Sequence, residues 1–94
     1  MNSYQLTLVL KPELTEAERK TLLDSVTKKL TGVDGKITKE DMWGSKDLSY
    51  PIKRATKGFF VHYEATTDPK NGKAIDNTLK LEEDILRYLL IRTN

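Results

Sequence analysis

The sequence predicts an α+β domain in which a four-stranded antiparallel sheet carries two helices on one face. Three observations carry it: an alternating strand at the start of the chain, a capped amphipathic helix after it, and a run rich in aromatic and β-branched residues from Phe59 to Thr67. Short strands separated by helical segments, with no linker between them, are the pattern of one mixed layer architecture. The chain has 94 residues, which predicts a single domain spanning 1–94. A chain of that size buries roughly two thirds of its unfolded surface around one core.

Tyr4 to Leu10 alternates so that Leu6, Leu8 and Leu10 share a face, the period of a half-buried strand. Lys11-Pro12 breaks it. Thr15-Glu16-Ala17-Glu18 is a capping box, in which hydroxyl and carboxylate satisfy the unpaired amides of a helix start. Leu22, Leu23, Val26 and Leu30 recur at helical spacing, Lys28 and Lys29 sit where the helix dipole favours cations, and Gly32 ends the helix. Asp34-Gly35 then turns the chain into a strand from Lys36 to Trp43, whose charges suit a sheet edge, with Gly44 as a bulge. Leu48 to Ile52 resumes that strand, and Pro51, which cannot donate to a central ladder, keeps it at the edge.

Lys53 to Gly58 reads as a hairpin turn and Phe59 to Thr67 as the third strand. Asp68-Pro69 caps a second helix, with Ala74, Ile75 and Leu79 turned inward. Periodicity leaves Glu82 to Arg92 open between strand and helix. A strand there, lying beside the first, completes a βαββαβ, ferredoxin-like sheet. Two helices cover only one face of such a sheet. Parity puts Phe59, Val61, Tyr63 and Ala65 under the helices, and Gln5, Thr7, Val9, Phe60, His62 and Glu64 on the open side. If Arg87 points outward, Leu89 and Ile91 join Val9 and Phe60 in an open apolar patch, the mark of a protein contact.

Composition narrows the function. With 37% hydrophobic and 32% charged residues the chain folds in water, and no apolar run has the length of a membrane span. No secretory signal opens the sequence, no transit peptide precedes the first strand and there is no cysteine, so a bacterial cytosol is the expected compartment. His62 is the only histidine, so zinc, Cys-His and Ser-His-Asp chemistry lack their parts. The glycines form no phosphate loop, which also argues against the small acyl-phosphate hydrolases of this fold class. Glu82-Glu83-Asp84 reads as a solvated connection. No enzyme, metal or cofactor is expected.

A net charge of +2 permits nucleic acid without demanding it. Cations and aromatics interleave through Trp43, Lys46, Tyr50, Lys53, Arg54 and Lys57, pairing groups for phosphates with flat side chains for bases. Lys57 to Tyr63 also resembles the third-strand signature of RNA-recognition motifs, but lacks the small residue between its first two aromatics. An independent single-strand RNA binder stacking bases on Phe59 and Phe60 is therefore the alternative reading.

Tyr4 to Pro12, Trp43-Gly44, Leu48 to Lys53, the strand at Gly58, and Leu81 to Tyr88 form one ordered set of motifs along the chain. In their order and spacing, over nearly its full length, the chain resembles the bacterial small-subunit ribosomal protein six family. The resemblance implies a final strand over Glu82 to Arg92. It also implies a non-catalytic, ribosomal role: binding the central domain of small-subunit rRNA as a heterodimer with ribosomal protein eighteen. By position it points to Trp43, Lys46, Tyr50, Lys53, Arg54, Arg87 and Arg92 as RNA contacts. Val9, Phe60, His62, Leu89 and Ile91 become the partner surface. Some family members continue into a modifiable acidic tail, whereas this sequence ends at Asn94, so tail-dependent regulation is not expected of it.

Overall fold

The computed structural model describes residues 2–52 and 54–93. The elements run β1 (Asn2–Leu10), α1 (Glu16–Thr31), β2 (Lys36–Ile52), β3 (Ala55–Thr67), α2 (Pro69–Leu81) and β4 (Ile85–Arg92). The strands form one antiparallel sheet in the order β2-β3-β1-β4, the expected ferredoxin-like arrangement. The ambiguous segment is a strand, paired along β1 from Tyr4↔Arg92 to Leu10↔Ile85.

The capping box forms as read. Glu18 N–H donates to Thr15 Oγ1 at 3.1 Å and Thr15 N–H donates to Glu18 Oε1 at 3.0 Å. The second of these bonds holds the Glu18 carboxyl below its ordinary pKa, because the Thr15 backbone amide favours the ionised form. α1 ends at Gly32, at φ 60, whose N–H donates to Lys28 O. Leu23, Val26 and Leu30 are buried and Leu22 packs at the margin. On α2, Asp68 caps the first turn, and Gly72, Ile75 and Leu79 form the buried face. Ala74, expected inward, is exposed, since it lies about 100° around the helix from Ile75. These faces pack on Leu6, Leu8, Leu10, Val61, Tyr63, Ala65 and Ile85. Full burial of each leucine, isoleucine or valine among them contributes about 1.5–3 kcal/mol relative to exposure.

The β2–β3 hairpin departs from expectation in a way that shapes the open face. β2 is one continuous strand, bulged where the register shifts between Met42↔Val61 and Gly44↔Phe60, with Gly44 at φ 84. β3 begins at Ala55 instead of Phe59, and Ile52 pairs with Ala55 across a tight turn in which Arg54 takes φ 69. Lys53 lies outside the described residues. β1 pairs with β3 only as far as Leu10↔Phe59. The hairpin therefore runs on beyond the sheet as a two-stranded arm formed by Asp47–Ile52 and Ala55–Gly58.

Candidate RNA and partner interface

The arm folds over one end of the open face. Gly58 lies at its root, buried, where a Cβ would collide with the Val9 Cγ1 methyl and touch Leu48 Cδ2. A residue without a side chain is what lets the two layers approach so closely. Leu48 and Tyr50 reach across β1 toward β4, and Arg87 Nη1 donates to the Tyr50 hydroxyl at 3.0 Å. Between arm and sheet remains an open hollow of 340 Å³, with Val9, Phe60 and Leu89 as its floor.

Val9 is consequently only 7% exposed. The expectation that it belongs to an open contact patch is corrected: the arm covers it. Phe60 is half-buried beside it, paired across the strands with Val9. Toward the other end the face is uncovered. Leu89 is 57% and Ile91 43% exposed, opposite Thr7 and Gln5 in register, with His62 and Glu64 on the far side of β1.

His62 is held from three sides. Its Nδ1 shares a 2.9 Å hydrogen bond with the Thr7 hydroxyl, its Nε2 lies 3.9 Å from Glu64 Oε2, and the Trp43 ring stacks on it at 5.3 Å between centroids and 4° between planes. Lys46 Nζ stands 5.5 Å from the Trp43 ring. Trp43, expected with the RNA-facing edge, is thus part of the open face. Sequence reasoning marked Gly44 as the bulge but did not assign the tryptophan a side, because an inserted residue shifts strand parity by one.

The expected RNA residues fall into separate places. Tyr50 and Arg87 meet; Lys46 joins Trp43; Arg54 stands at the arm's tip, near Lys57 and Lys11. Arg92 does not join them. Its register partner is Tyr4, five residues along β1 from the partner of Arg87, about 17 Å at strand spacing and on the opposite face. Phe59, a supposed stacking platform, lies on the helix side with the Arg19 guanidinium 3.9 Å above its ring. Thr7 lies on this face as parity expected, whereas Leu48 and Gly58 were missed as shapers of the surface, and of those two only Gly58, an isolated glycine at the expected strand start, carried a signal.

Among the described residues no group of three His, Cys, Asp or Glu side chains converges. Asp84 instead faces Lys11 at 3.9 Å, and Glu82 accepts from the Asp84 amide at 3.4 Å. No described helix is long and apolar enough to cross a membrane.

The family profile described as ribosomal protein S6 matches residues 3–92. The chain belongs to the ribosomal protein S6 family. Small ribosomal subunit protein bS6 of Caldanaerobacter subterraneus subsp. tengcongensis is 34% identical over 94 residues, covering 100% of this chain and 99% of that one. The bS6 protein of Clostridioides difficile is 37% identical over 91 residues, covering 97% and 98%. The crystal structure of 30S ribosomal protein S6 from Thermotoga maritima superposes with a TM-score of 0.90 at 26% identity, covering 98% of this chain and 87% of that one. Membership makes this S6-family chain a structural protein of the small ribosomal subunit and not an enzyme. It also places the chain against rRNA in that cytoplasmic particle.

Proposed function

We propose that this S6-family chain stabilises the central domain of 16S rRNA as a heterodimer with ribosomal protein eighteen. The observation that carries this reading is the uncovered half of the sheet: Leu89 and Ile91 are exposed in a row beside the Trp43–His62 stack. Exposed β-branched and leucine side chains in register on a sheet face are a docking surface when a partner covers them. Beside that patch stand Lys46 and Arg87, positions from which cations reach phosphates while the partner sits on the apolar centre, and Arg54 adds a further cation at the arm's tip. With a net charge of +2 the chain makes few phosphate contacts of its own, so RNA affinity depends on the partner.

The test is a Leu89→Asp, Ile91→Asp double variant titrated calorimetrically with ribosomal protein eighteen. Two carboxylates in an apolar interface weaken binding at least thirtyfold, about 2 kcal/mol. Because both side chains are exposed, folding stability changes by less than about 0.5 kcal/mol per site. Unchanged affinity in a folded double variant contradicts the proposal.

A further inference from the structure

The hollow beneath the arm is a built site, with walls on two sides. Its floor is Val9, Phe60 and Leu89 on the sheet, and its roof is Leu48, Tyr50 and Ile52 on the arm. Arg87 stands at the mouth. Among the described residues no carboxylate lies within 4.0 Å of its guanidinium, and its hydrogen bond goes to the Tyr50 hydroxyl. A planar cation without a counter-charge, beside an apolar slot, is complementary to a ligand that joins a flat apolar body to an anion.

We propose that this hollow receives one unstacked nucleotide of the bound RNA, its base between arm and sheet and its phosphate on Arg87. The inference rests on the RNA-binding reading above and names the part of the RNA that the site takes. Single-stranded bases are held by aromatic and apolar walls with a cation on the backbone, and the slot supplies both. Asp47, which also lines the hollow, has its carboxylate toward Lys57 at 3.9 Å. An aliphatic anchor from a protein partner fills the walls equally well. It leaves the Arg87 charge partly desolvated and unpaired, which is unfavourable. The anion decides for the nucleotide.

The experiment uses the full chain in complex with ribosomal protein eighteen and a central-domain rRNA fragment. Ser49, on the exposed rim of the hollow, is replaced by the photoreactive p-benzoylphenylalanine and irradiated, and the adduct is mapped by reverse transcription and mass spectrometry. The expected result is one dominant adduct at a single nucleotide. A parallel Leu48→Trp variant, which fills the slot from its roof, lowers affinity for the RNA about tenfold and leaves that for the protein partner unchanged. An adduct to the protein partner, adducts scattered over many nucleotides, or full RNA affinity in the Leu48→Trp variant overturns the inference while leaving the RNA-binding reading intact. Absence of any complex with the wild-type chain defeats that reading itself.

Discussion

Adding one methyl at Gly58 should lift the arm or strain the sheet beneath it, and the size of the effect follows from what the methyl meets. The Cβ of a Gly58→Ala variant would overlap Val9 Cγ1, a methyl packed between β1 and the arm. Overpacking of this kind costs about 1–3 kcal/mol. In a domain of this length each kcal/mol lowers Tm by roughly 4–8 °C. Steric overlap is distinguished from a general effect of alanine by a second substitution, Val9→Ala. Alone it removes two buried carbon centres, worth about 1.6 kcal/mol at ~0.8 kcal/mol per methylene. In that background the offending methyl is gone and the added Cβ occupies the vacated space. The double variant should therefore be no less stable than Val9→Ala, giving a coupling of about 1–3 kcal/mol, the whole cost of the single Gly58→Ala change. Urea denaturation of the four proteins measures it. Strict additivity, or a Gly58→Ala variant as stable as the parent, refutes the close approach that defines the arm.

Two further outcomes follow from contacts far from the open face. Thr15→Ala removes the acceptor for the Glu18 amide at the start of α1 and should cost about 1 kcal/mol, read as a lower urea midpoint with unchanged slope. The Tyr88 hydroxyl donates to Asp76 Oδ1 at 2.8 Å, and this bond, with that from Lys80, holds the Asp76 carboxyl below its ordinary 3.8. A depressed carboxyl contributes stability that is present above the unfolded pKa and is lost as pH falls through the lower, folded one. The destabilisation caused by Tyr88→Phe should accordingly be larger at pH 7 than at pH 2, measured by denaturant midpoints; an equal deficit at both values shows that the bond does not favour the carboxylate. Tyr88 itself is pushed up, by burial first and then by Asp76, so its contribution is present below pH 10 and is lost as pH rises further.

Much of the architecture was legible because it depends on local chemistry and parity. The Thr15–Glu18 box fixes where α1 begins, and period-two alternation on β1 and β3 puts Phe60, His62 and Glu64 on the same face as Val9, Thr7 and Gln5 as expected, while the register that sets them opposite one another comes from the paired strands. Periodicity alone left β4 undecided, because a short apolar run satisfies strand and helix alike. What escaped the sequence is how far each pair of strands runs. Residues 55–58 read as turn because their composition is poor in apolar side chains, yet they extend the ladder with β2 past the end of β1. From that extension follow the arm, the burial of Val9, and the meeting of Tyr50 with Arg87 across the sheet. Trp43 was displaced by the bulge for the same reason: its side depends on a register that only the paired strand defines. Arg92 belongs with the other cations by charge and by resemblance, but five residues of strand separate it from Arg87.

The central claim, RNA binding that depends on a protein seated on the open face, is tested most directly by titrating a central-domain 16S rRNA fragment with this chain at two salt concentrations. The titration is run with and without ribosomal protein eighteen. Tight binding only when the partner is present, weakening as salt rises, is the predicted result. Equal binding to the fragment, or to any single strand, in the absence of the partner would contradict it.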